Sequence, residues 1–300
     1  MSKAVGGTVV SGGTAVKKKK KQSMWRQAFQ RLSKDKVAMI GLIGIVLLIV
    51  VAIAAPLLTP YSYKEMDPLH LIEGPSLLHP FGTDKLGRDI LSRLLYGARY
   101  SLALGLISSI LSLIIGIIFG AISGYFGGVV DDVIMRICDI IQAIPSLLFC
   151  IIISMTLGTG YVVTIFAIAL GGCSGNIRLM RSQLLTIRKE EYLDAACAIN
   201  CSTARILFRH ALPNVMSPLL IGFTMGIGNQ IQTAASLSVL GLGVQPPLPE
   251  WGAMLSDGLI YMSTHPHLMF FPGMMIFLIS LFINMFGDGL RDALDPKLKK

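Results

Sequence analysis

Long charge-free apolar segments constrain this chain more than any other feature of its sequence. Val37–Ala55 contains no charged residue and, at ~1.5 Å of rise per helical residue, is long enough to cross a ~30 Å hydrocarbon core. Only 14% of the residues are charged, whereas charged residues make up about a quarter of an ordinary soluble domain. The sequence therefore predicts an all-α polytopic membrane protein.

Further apolar segments bring the predicted number of transmembrane helices to six. The charge-poor run 140–177 is too long for one helix, and LGTGY at Leu157–Tyr161 divides it into spans three and four. The other predicted spans are Ser101–Gly124, Ala211–Pro249 and Leu268–Phe286. The first transmembrane helix is placed at 37–58, followed by an extracytoplasmic loop and pre-span segment at 59–100.

The distribution of basic residues predicts the orientation, because cytoplasmic loops carry an excess of Lys and Arg. Of the 26 basic residues, 21 lie in four segments that the predicted spans place on the same side of the membrane. These segments are 1–36, 131–139, 178–210 and 288–300. Both termini are therefore expected in the cytoplasm, and the net charge of +9 needs no nucleic-acid partner. Four basic residues near the second span are exceptions, because they are predicted on the extracytoplasmic side: Lys85, Arg88, Arg93 and Arg99. They are expected to form a folded loop with Asp84 and Asp89.

Residues 1–36 are predicted to be a cytoplasmic basic tail and an interfacial helix. The first apolar stretch begins too late for a cleavable signal peptide. The Lys17–Lys21 run either contacts nucleic acid or lipid specifically or is a tail drawn to anionic lipid by ~1 kcal/mol per Lys, and we favour the tail. Trp25, Phe29 and Leu32 recur at helical spacing between basic residues, which is typical of an interfacial helix.

The charge-dense segment Arg188–Asn214 is predicted to form two short helices joined by a turn. Asn200 is expected to adopt the left-handed conformation at the turn, Ser202 to cap the second helix, and Pro213 to end that helix or open the next. The first helix has an apolar face made by Leu184, Leu185, Tyr192, Leu193, Ala195, Ala196 and Ile199. The pattern leaves open whether this face docks on a partner or the loop lies solvated on the membrane.

The same segment resembles the coupling loop of ABC-importer permeases, whose pattern is EAA, three residues, Gly, nine residues, Ile, one residue and Leu-Pro. Asp194-Ala195-Ala196 falls on EAA, and Leu212-Pro213 falls on Leu-Pro. Asn200 replaces the turn glycine and His210 replaces the isoleucine. Asn is the mildest replacement for a positive-φ glycine, so the turn is expected to survive.

The resemblance extends over almost everything from Trp25 onward and is to the C-type permeases of dipeptide/oligopeptide (and nickel) importers. It is carried by Phe81–Leu102, Gly124–Gly128, Ser236–Gly252 and Phe286–Lys299. It implies a type I ABC-importer permease fold with a cytoplasmic coupling helix. The implied boundaries are a permease core at 101–290, a coupling loop at 186–213 and a cytoplasmic C-terminus at 291–300.

The resemblance also implies function and partners. Such a permease forms half of a heterodimeric pathway for dipeptides or oligopeptides in a bacterial or archaeal cytoplasmic membrane. Its partners would be a second homologous permease subunit, one or two ABC ATPase subunits, a solute-binding protein and membrane lipid. The chain has no GxxxxGK[S/T] phosphate loop, so it is expected to be no enzyme and to bind no cofactor, with ATP and Mg on the ATPases. The implied coupling residues are Asp194, Ala195, Ala196, Cys197, Asn200, Cys201, Ser202, Leu212 and Pro213.

Polar residues inside the spans are candidates for the translocation pathway, because they are costly in lipid and usually face a cavity or another helix. They are Gln142, Asn229, Gln230, Gln232, Thr233, Ser236 and Asn284. Those of span five cannot all lie on one face, so each retains a packing role as its alternative. Gly and Pro residues between 241 and 249 predict an irregular outer end for this span.

Two alternatives remain open. His265 and His267 would be metal ligands if nickel were the substrate, although a His-Pro-His pair beside a membrane is more often incidental. A self-contained secondary transporter would commonly place a carboxylate in mid-membrane, and the predicted spans have Asp139 only at an edge. The cysteines have no disulfide or zinc spacing, and they are Cys138, Cys150, Cys173, Cys197 and Cys201.

Overall fold

The computed structural model describes residues 29–294, so Lys17–Lys21, Trp25 and residues 295–300 lie outside that range. The described chain is built of helices and contains one isolated β-bridge but no strand. The helices are α1 (Lys36–Leu58), α2 (Ile90–Phe126), α3 (Gly128–Ala143), α4 (Ser146–Leu157), α5 (Tyr161–Ile187), α6 (Glu191–Ala198), α7 (Thr203–Arg205), α8 (Leu212–Val239), α9 (Trp251–Leu259) and α10 (His267–Leu294). A π-helical segment, Ile206–Ala211, joins α7 to α8.

The described helices agree with the prediction of six crossings when one bent pair counts as a span. Five are long and apolar enough to cross a membrane, namely α1, α2, α5, the continuous helix Thr203–Val239 and α10. The helices α3 and α4 pass the same test together and are bent by 92° at their junction. Pro145 lies at the bend, and a proline disfavours helical geometry in the residue before it, Ile144.

Three predicted boundaries are wrong. Residues 131–139 are not a loop, because they belong to α3, where their acidic side chains pair with basic side chains of α5. Helix α2, which contains the second predicted span, begins at Ile90 rather than near Ser101, since Asp89 caps it by accepting from the Ser92 N–H. The fifth span ends at Val239, and residues 240–250 form the irregular outer segment that the Gly and Pro residues predicted.

The most extensive helix pairing of the described chain joins α2 to α5, and a row of glycines lies along it. Gly116, Gly120 and Gly124 recur every fourth residue on α2, so they lie on one face. A Cβ placed on Gly120 would lie 2.5 Å from the carbonyl oxygen of Ile177 and 2.7 Å from the Cβ of Met180. Small residues at such spacing let two membrane helices approach backbone to backbone.

The predicted association of acidic and basic residues in the loop before α2 is confirmed for Asp84, but Asp89 instead caps α2 and lies 3.0 Å from His79 Nδ1. Arg88 donates through Nε to Asp84 Oδ2 at 2.6 Å, and Arg93 lies 3.5 Å from the same oxygen. Lys85 pairs with Asp257 of α9 at 2.6 Å. These contacts fix the loop to the start of α2 and to α9, and they pair Lys85, Arg88 and Arg93, three of the exceptions to the predicted charge pattern.

Candidate coupling loop and translocation face

The predicted coupling loop is attached to one end of the transmembrane helices. Leu193 and Ala196 of α6 are buried together with Ile206 of the π-helical segment. Tyr125, at the end of α2, and Ile187, at the end of α5, pack against this cluster. A displacement of α6 would therefore move the residues packed against it at the ends of α2 and α5 and before α8.

The opposite side of the loop is exposed and partly apolar. Ile199 is 76% and Phe208 65% exposed, and Ala195 is also exposed. Ala195 and Ala196, which are predicted to share one apolar face, point in different directions, because Ala196 packs inward against Ile206 whereas Ala195 is exposed. Cys201 is half-buried beside the same cluster. The surface open to a partner is therefore formed by Ala195 with the exposed apolar side chains.

The turn between α6 and α7 has the predicted left-handed residue. Asn200 has φ +54°, and the Cys201 N–H donates to the Ala196 carbonyl at 3.1 Å, the long hydrogen bond of a Schellman ending. Ser202 occupies the predicted N-cap position before α7 and has extended geometry. The predicted capping hydrogen bond is wrong, because the Ser202 hydroxyl accepts none. The turn thus depends on the backbone of Asn200 rather than on a polar cap.

We expect Asn200→Gly to preserve the turn and Asn200→Val to destabilise the loop by about 1–2 kcal/mol, the cost of a left-handed residue with a Cβ. A β-branched side chain is especially unfavourable at positive φ. Limited proteolysis of membrane vesicles would measure the change as faster cleavage within 188–210. Equal cleavage of the Val and Gly variants would contradict the assignment.

Pro213 opens the next helix rather than ending the previous one. It lies at the start of α8, and the helix runs on from Thr203 to Val239. A proline ring clashes with the carbonyl four residues earlier in a regular helix. The preceding turn is π-helical, and the Leu212 N–H donates to the Leu207 carbonyl, so the wider turn relieves the clash. The loop therefore continues directly into a span.

Tyr192 connects the loop to the start of that span. The side-chain amide of Asn214 donates to the Tyr192 hydroxyl at 3.3 Å and to the His210 carbonyl at 2.7 Å. Burial, followed by the charge of Glu190, raises the pKa of Tyr192. The hydroxyl therefore stays neutral at physiological pH and joins α6 to α8 as an uncharged contact.

The candidate pathway residues of α8 divide between two directions. Asn229, Gln232 and Ser236 are exposed at three- and four-residue spacing, and Thr233 is half-buried beside them. Gln230 is buried and lies over Gly172 of α5. The prediction that these residues do not share one face is confirmed, with Gln230 as the member that packs inward.

Two cavities lie along this polar face. One, of about 200 Å³, is lined by Ser109, Gly172, Gly175, Asn176, Gly222, Phe223, Gly226, Asn229 and Gln230. The other, of about 480 Å³, lies nearer the outer end and includes Gln232 and Ser236. Gln142 and Asn284 are exposed on α3 and α10 and line neither cavity.

Glu250 is a buried acidic residue that the sequence pattern did not identify. Its carboxyl group accepts hydrogen bonds from the N–H groups of Gly252 and Ala253, which begin α9. It also accepts from Ser101 of α2 at 3.2 Å and from Ser238 of α8 at 3.0 Å. The only signal in the sequence is an acidic residue just before a helix start, and nothing in it indicates the two serines.

His265 and His267, the candidate metal ligands, are engaged in packing. His267 Nε2 lies 3.2 Å from the Glu73 carbonyl oxygen, and its ring centroid is 6.0 Å from that of His265. Among the side chains that the structure describes, no three His, Cys, Asp or Glu are grouped as a metal site would need. The cysteine side chains whose surroundings are described are free thiols, and they are Cys138, Cys150, Cys173 and Cys201.

Residues 116–300 match the family described as binding-protein-dependent transport system inner membrane component, and residues 23–80 match the N-terminal transmembrane domain of oligopeptide transport permease C. The chain is 47% identical over 277 residues to the dipeptide transport system permease protein DppC of Alkalihalophilus pseudofirmus, covering 92% of this chain and 91% of that protein. It is 46% identical over 294 residues to the glutathione transport system permease protein GsiD of Shigella flexneri, covering 97% and 96%.

The fold is also similar to a solved structure. An inward-facing MetNI methionine ABC transporter chain matches with a TM-score of 0.56 and 17% identity, over 69% of this chain and 98% of that chain. At this identity the likeness concerns the fold alone.

Proposed function

The chain belongs to the family of binding-protein-dependent transport system inner membrane components, and from that premise we propose that it is the C-type permease subunit of an ATP-driven peptide importer. It would form half of a translocation pathway with a second homologous permease subunit. One or two ABC ATPase subunits would hold ATP and Mg, and a solute-binding protein would deliver the peptide. Both termini would lie in the cytoplasm of a bacterial or archaeal cell.

The observation that carries the proposal is the attachment of the coupling loop. Its inner cluster, Leu193, Ala196 and Ile206, rests on the ends of α2 and α5, while its outer side leaves Ala195 and Ile199 exposed. An ATPase that engages the outer side can move the loop as a unit. Since the loop continues through the π-helical turn into α8, that motion is transmitted to the helix with the polar face.

The polar face of α8 supports a pathway along this helix. A stripe of exposed amide and hydroxyl groups is unfavourable against lipid, so it is expected to face the second permease subunit or water. Asn229, Gln232 and Ser236 would then contact the passing peptide, whereas Gln230 packs on α5. The alternative of a secondary transporter has no support from the family, and nickel remains an alternative cargo.

We expect Ala195→Asp to lower dipeptide uptake at least about tenfold, because burying an unpaired carboxylate in a contact costs more than 1.4 kcal/mol. Ala195 is exposed, so the variant should accumulate like the wild type and its complex should still hydrolyse ATP. The measurement is ATP-driven uptake into proteoliposomes holding the whole complex and its binding protein. Radiolabelled dipeptide and Ni²⁺ are offered separately.

Ala195→Ser is the matched control, since it keeps a small side chain and should transport normally. Ala196→Asp is expected to act differently, because a carboxylate against Ile206 disrupts the loop itself and lowers the amount of folded complex. Wild-type uptake by Ala195→Asp would remove this residue from the ATPase contact. Uptake of Ni²⁺ but not dipeptide by the wild type would refute the peptide assignment.

A further inference from the structure

A cavity of about 480 Å³ lies where four helices meet, beside the polar face of α8. Its walls are largely apolar, and they include Leu147 of α4, Val239 of α8, Leu255 of α9 and Ile276 of α10. Sites for small molecules usually have about 300–1,000 Å³ and an apolar lining with a few polar groups. An apolar cavity of only about 150 Å³ is enough to bind benzene, so this cavity has room for a large aliphatic or aromatic side chain.

Two polar residues of α8, Gln232 and Ser236, line the same cavity, and both are exposed. The Ser236 hydroxyl donates to the Gln232 carbonyl at 3.0 Å. Its oxygen can still accept a hydrogen bond, and the Gln232 side-chain amide has two donor hydrogens and an acceptor oxygen. A lipid tail offers these groups no hydrogen bond, so it is a poor occupant. A molecule with an apolar part and a hydrogen-bonding part matches the lining better.

The polar residues of α8 connect this cavity to the polar cavity of about 200 Å³. Asn229 lines the smaller cavity and lies seven residues before Ser236, which is about 10 Å along a helix. An extended dipeptide is about 7 Å long, so its main chain can lie beside Asn229, Gln232 and Ser236. Because successive side chains of an extended chain point to opposite sides, one of the two can enter the larger cavity.

We propose that the 480 Å³ cavity receives an apolar side chain of the cargo peptide and thereby helps to determine which peptides pass. The proposal rests on the proposed function, since it requires a peptide as cargo. Gln232 and Ser236 contact the peptide main chain at the edge of the cavity, while Leu147, Leu255 and Ile276 surround the side chain. Burial of apolar surface has no preferred direction, so the site selects for apolar character and size rather than for one amino acid.

Gly273 of α10 offers a way to fill the cavity with little disturbance of its walls. It lines the cavity, and a Cβ placed on it would lie 3.5 Å from Leu255 Cδ1, which is an ordinary van der Waals contact. A leucine at this position would extend into the space that the proposal gives to the cargo. The variant Gly273→Leu is therefore expected to exclude large apolar side chains from the cavity.

The test compares leucyl-leucine with alanyl-alanine in proteoliposomes that hold the whole complex and its binding protein. For each dipeptide, offered below saturation, the initial uptake rate of Gly273→Leu is divided by that of the wild type, which cancels the preference of the binding protein. We expect the ratio for leucyl-leucine to fall at least about tenfold, the affinity that burial of a leucine side chain supplies. The ratio for alanyl-alanine is expected to stay within about twofold of unity, because a methyl group buries little surface.

Met274→Phe is the matched control, since it adds bulk to the next residue of α10, which is 37% exposed and does not line the cavity. It should leave both ratios unchanged. Gly273→Ala adds one methyl group and should lower the leucyl-leucine ratio by a smaller factor, which keeps the proposal testable if the Leu variant assembles poorly.

An equal fall for both dipeptides would assign the cavity to contact with the second permease subunit and overturn the proposal. Unchanged ratios would overturn it too, because they would leave lipid or water as the occupant. A wild-type complex that imports neither dipeptide would instead refute the proposed function itself.

Discussion

Replacing Gly120 by Leu is expected to abolish accumulation of folded protein in the membrane. A Cβ at this position would lie 2.5 Å from the backbone oxygen of Ile177, and a backbone atom on a neighbouring helix cannot move aside alone. The whole of α5 would have to separate from α2, along the interface that Gly116 and Gly124 also form. Close packing is what holds membrane helices together, since lipid offers no hydrophobic drive for their association.

The milder variant, Gly120→Ala, is expected to fold and to lower the midpoint temperature of thermal unfolding by a measurable amount. Overpacking by one methyl typically costs about 1–3 kcal/mol, which corresponds to roughly 2–12 °C in thermal midpoint for a protein of this size. Gly175→Ala is the matched control, because Gly175 is also helical but a Cβ there meets nothing within 4 Å. It should be neutral or slightly stabilising, as Ala favours helix by about 1 kcal/mol over Gly. Equal thermal midpoints for the two Ala variants would show that α2 and α5 are farther apart at Gly120 than the 2.5 Å distance to the Ile177 oxygen implies.

The transmembrane helices could be predicted from the sequence because their signal is local. An uninterrupted apolar run such as Val37–Ala55 has few alternatives to a span, and the structure places α1 at Lys36–Leu58. The turn at Asn200 was predictable for the same reason, since a left-handed residue is favoured by its own side chain. Both inferences need no knowledge of what lies elsewhere in the fold.

The predictions failed where a charge is neutralised by a residue distant in sequence. Asp131 and Asp139 resembled loop residues, but Arg181 forms a bidentate pair with the first and Arg178 bonds the second. Pairing with a basic residue about 40–50 positions away in the sequence reduces the free-energy cost of placing these carboxylates in a transmembrane helix, and that cost was the reason for predicting a loop. The inward orientation of Ala196 was missed similarly, because α6 presents two small residues and only the packing of Ile206 decides which is covered.

Substituting Glu250 by Leu is the second change expected to have a large effect, and it acts at the opposite end of the molecule. Glu250 is 1% exposed, and its carboxyl group accepts four hydrogen bonds, from two N–H groups and two serine hydroxyls. A leucine fills similar space but accepts none of them. Each buried donor left without an acceptor costs about 1–3 kcal/mol, so we expect a loss of several kcal/mol and a thermal midpoint lower by about 10 °C or more.

The loss should be larger than helix capping alone explains. Removing a helix cap costs about 0.5–2 kcal/mol, whereas Glu250 also joins Ser101 of α2 to Ser238 of α8. Ser101 in turn accepts from the Trp251 N–H at 3.0 Å. This carboxyl group therefore ties the Val239 end of α8, just beyond the polar residues Gln232 and Ser236, to α2 and α9. Uptake by the reconstituted complex should fall together with stability.

Two variants separate the role of the carboxyl group from a general effect of mutation. Glu250→Gln keeps the shape but turns an amide N–H₂ toward one of the donors, so its midpoint should fall between those of the Leu variant and the wild type. Glu65→Gln changes an exposed carboxyl group that accepts from the Ser62 N–H at 3.2 Å, and surface changes of this kind usually stay within about 0.5 kcal/mol. If Glu250→Leu unfolds at the wild-type temperature, the outer end of α8 must be held by packing around Trp251 instead, and the carboxyl group would lose its assigned role.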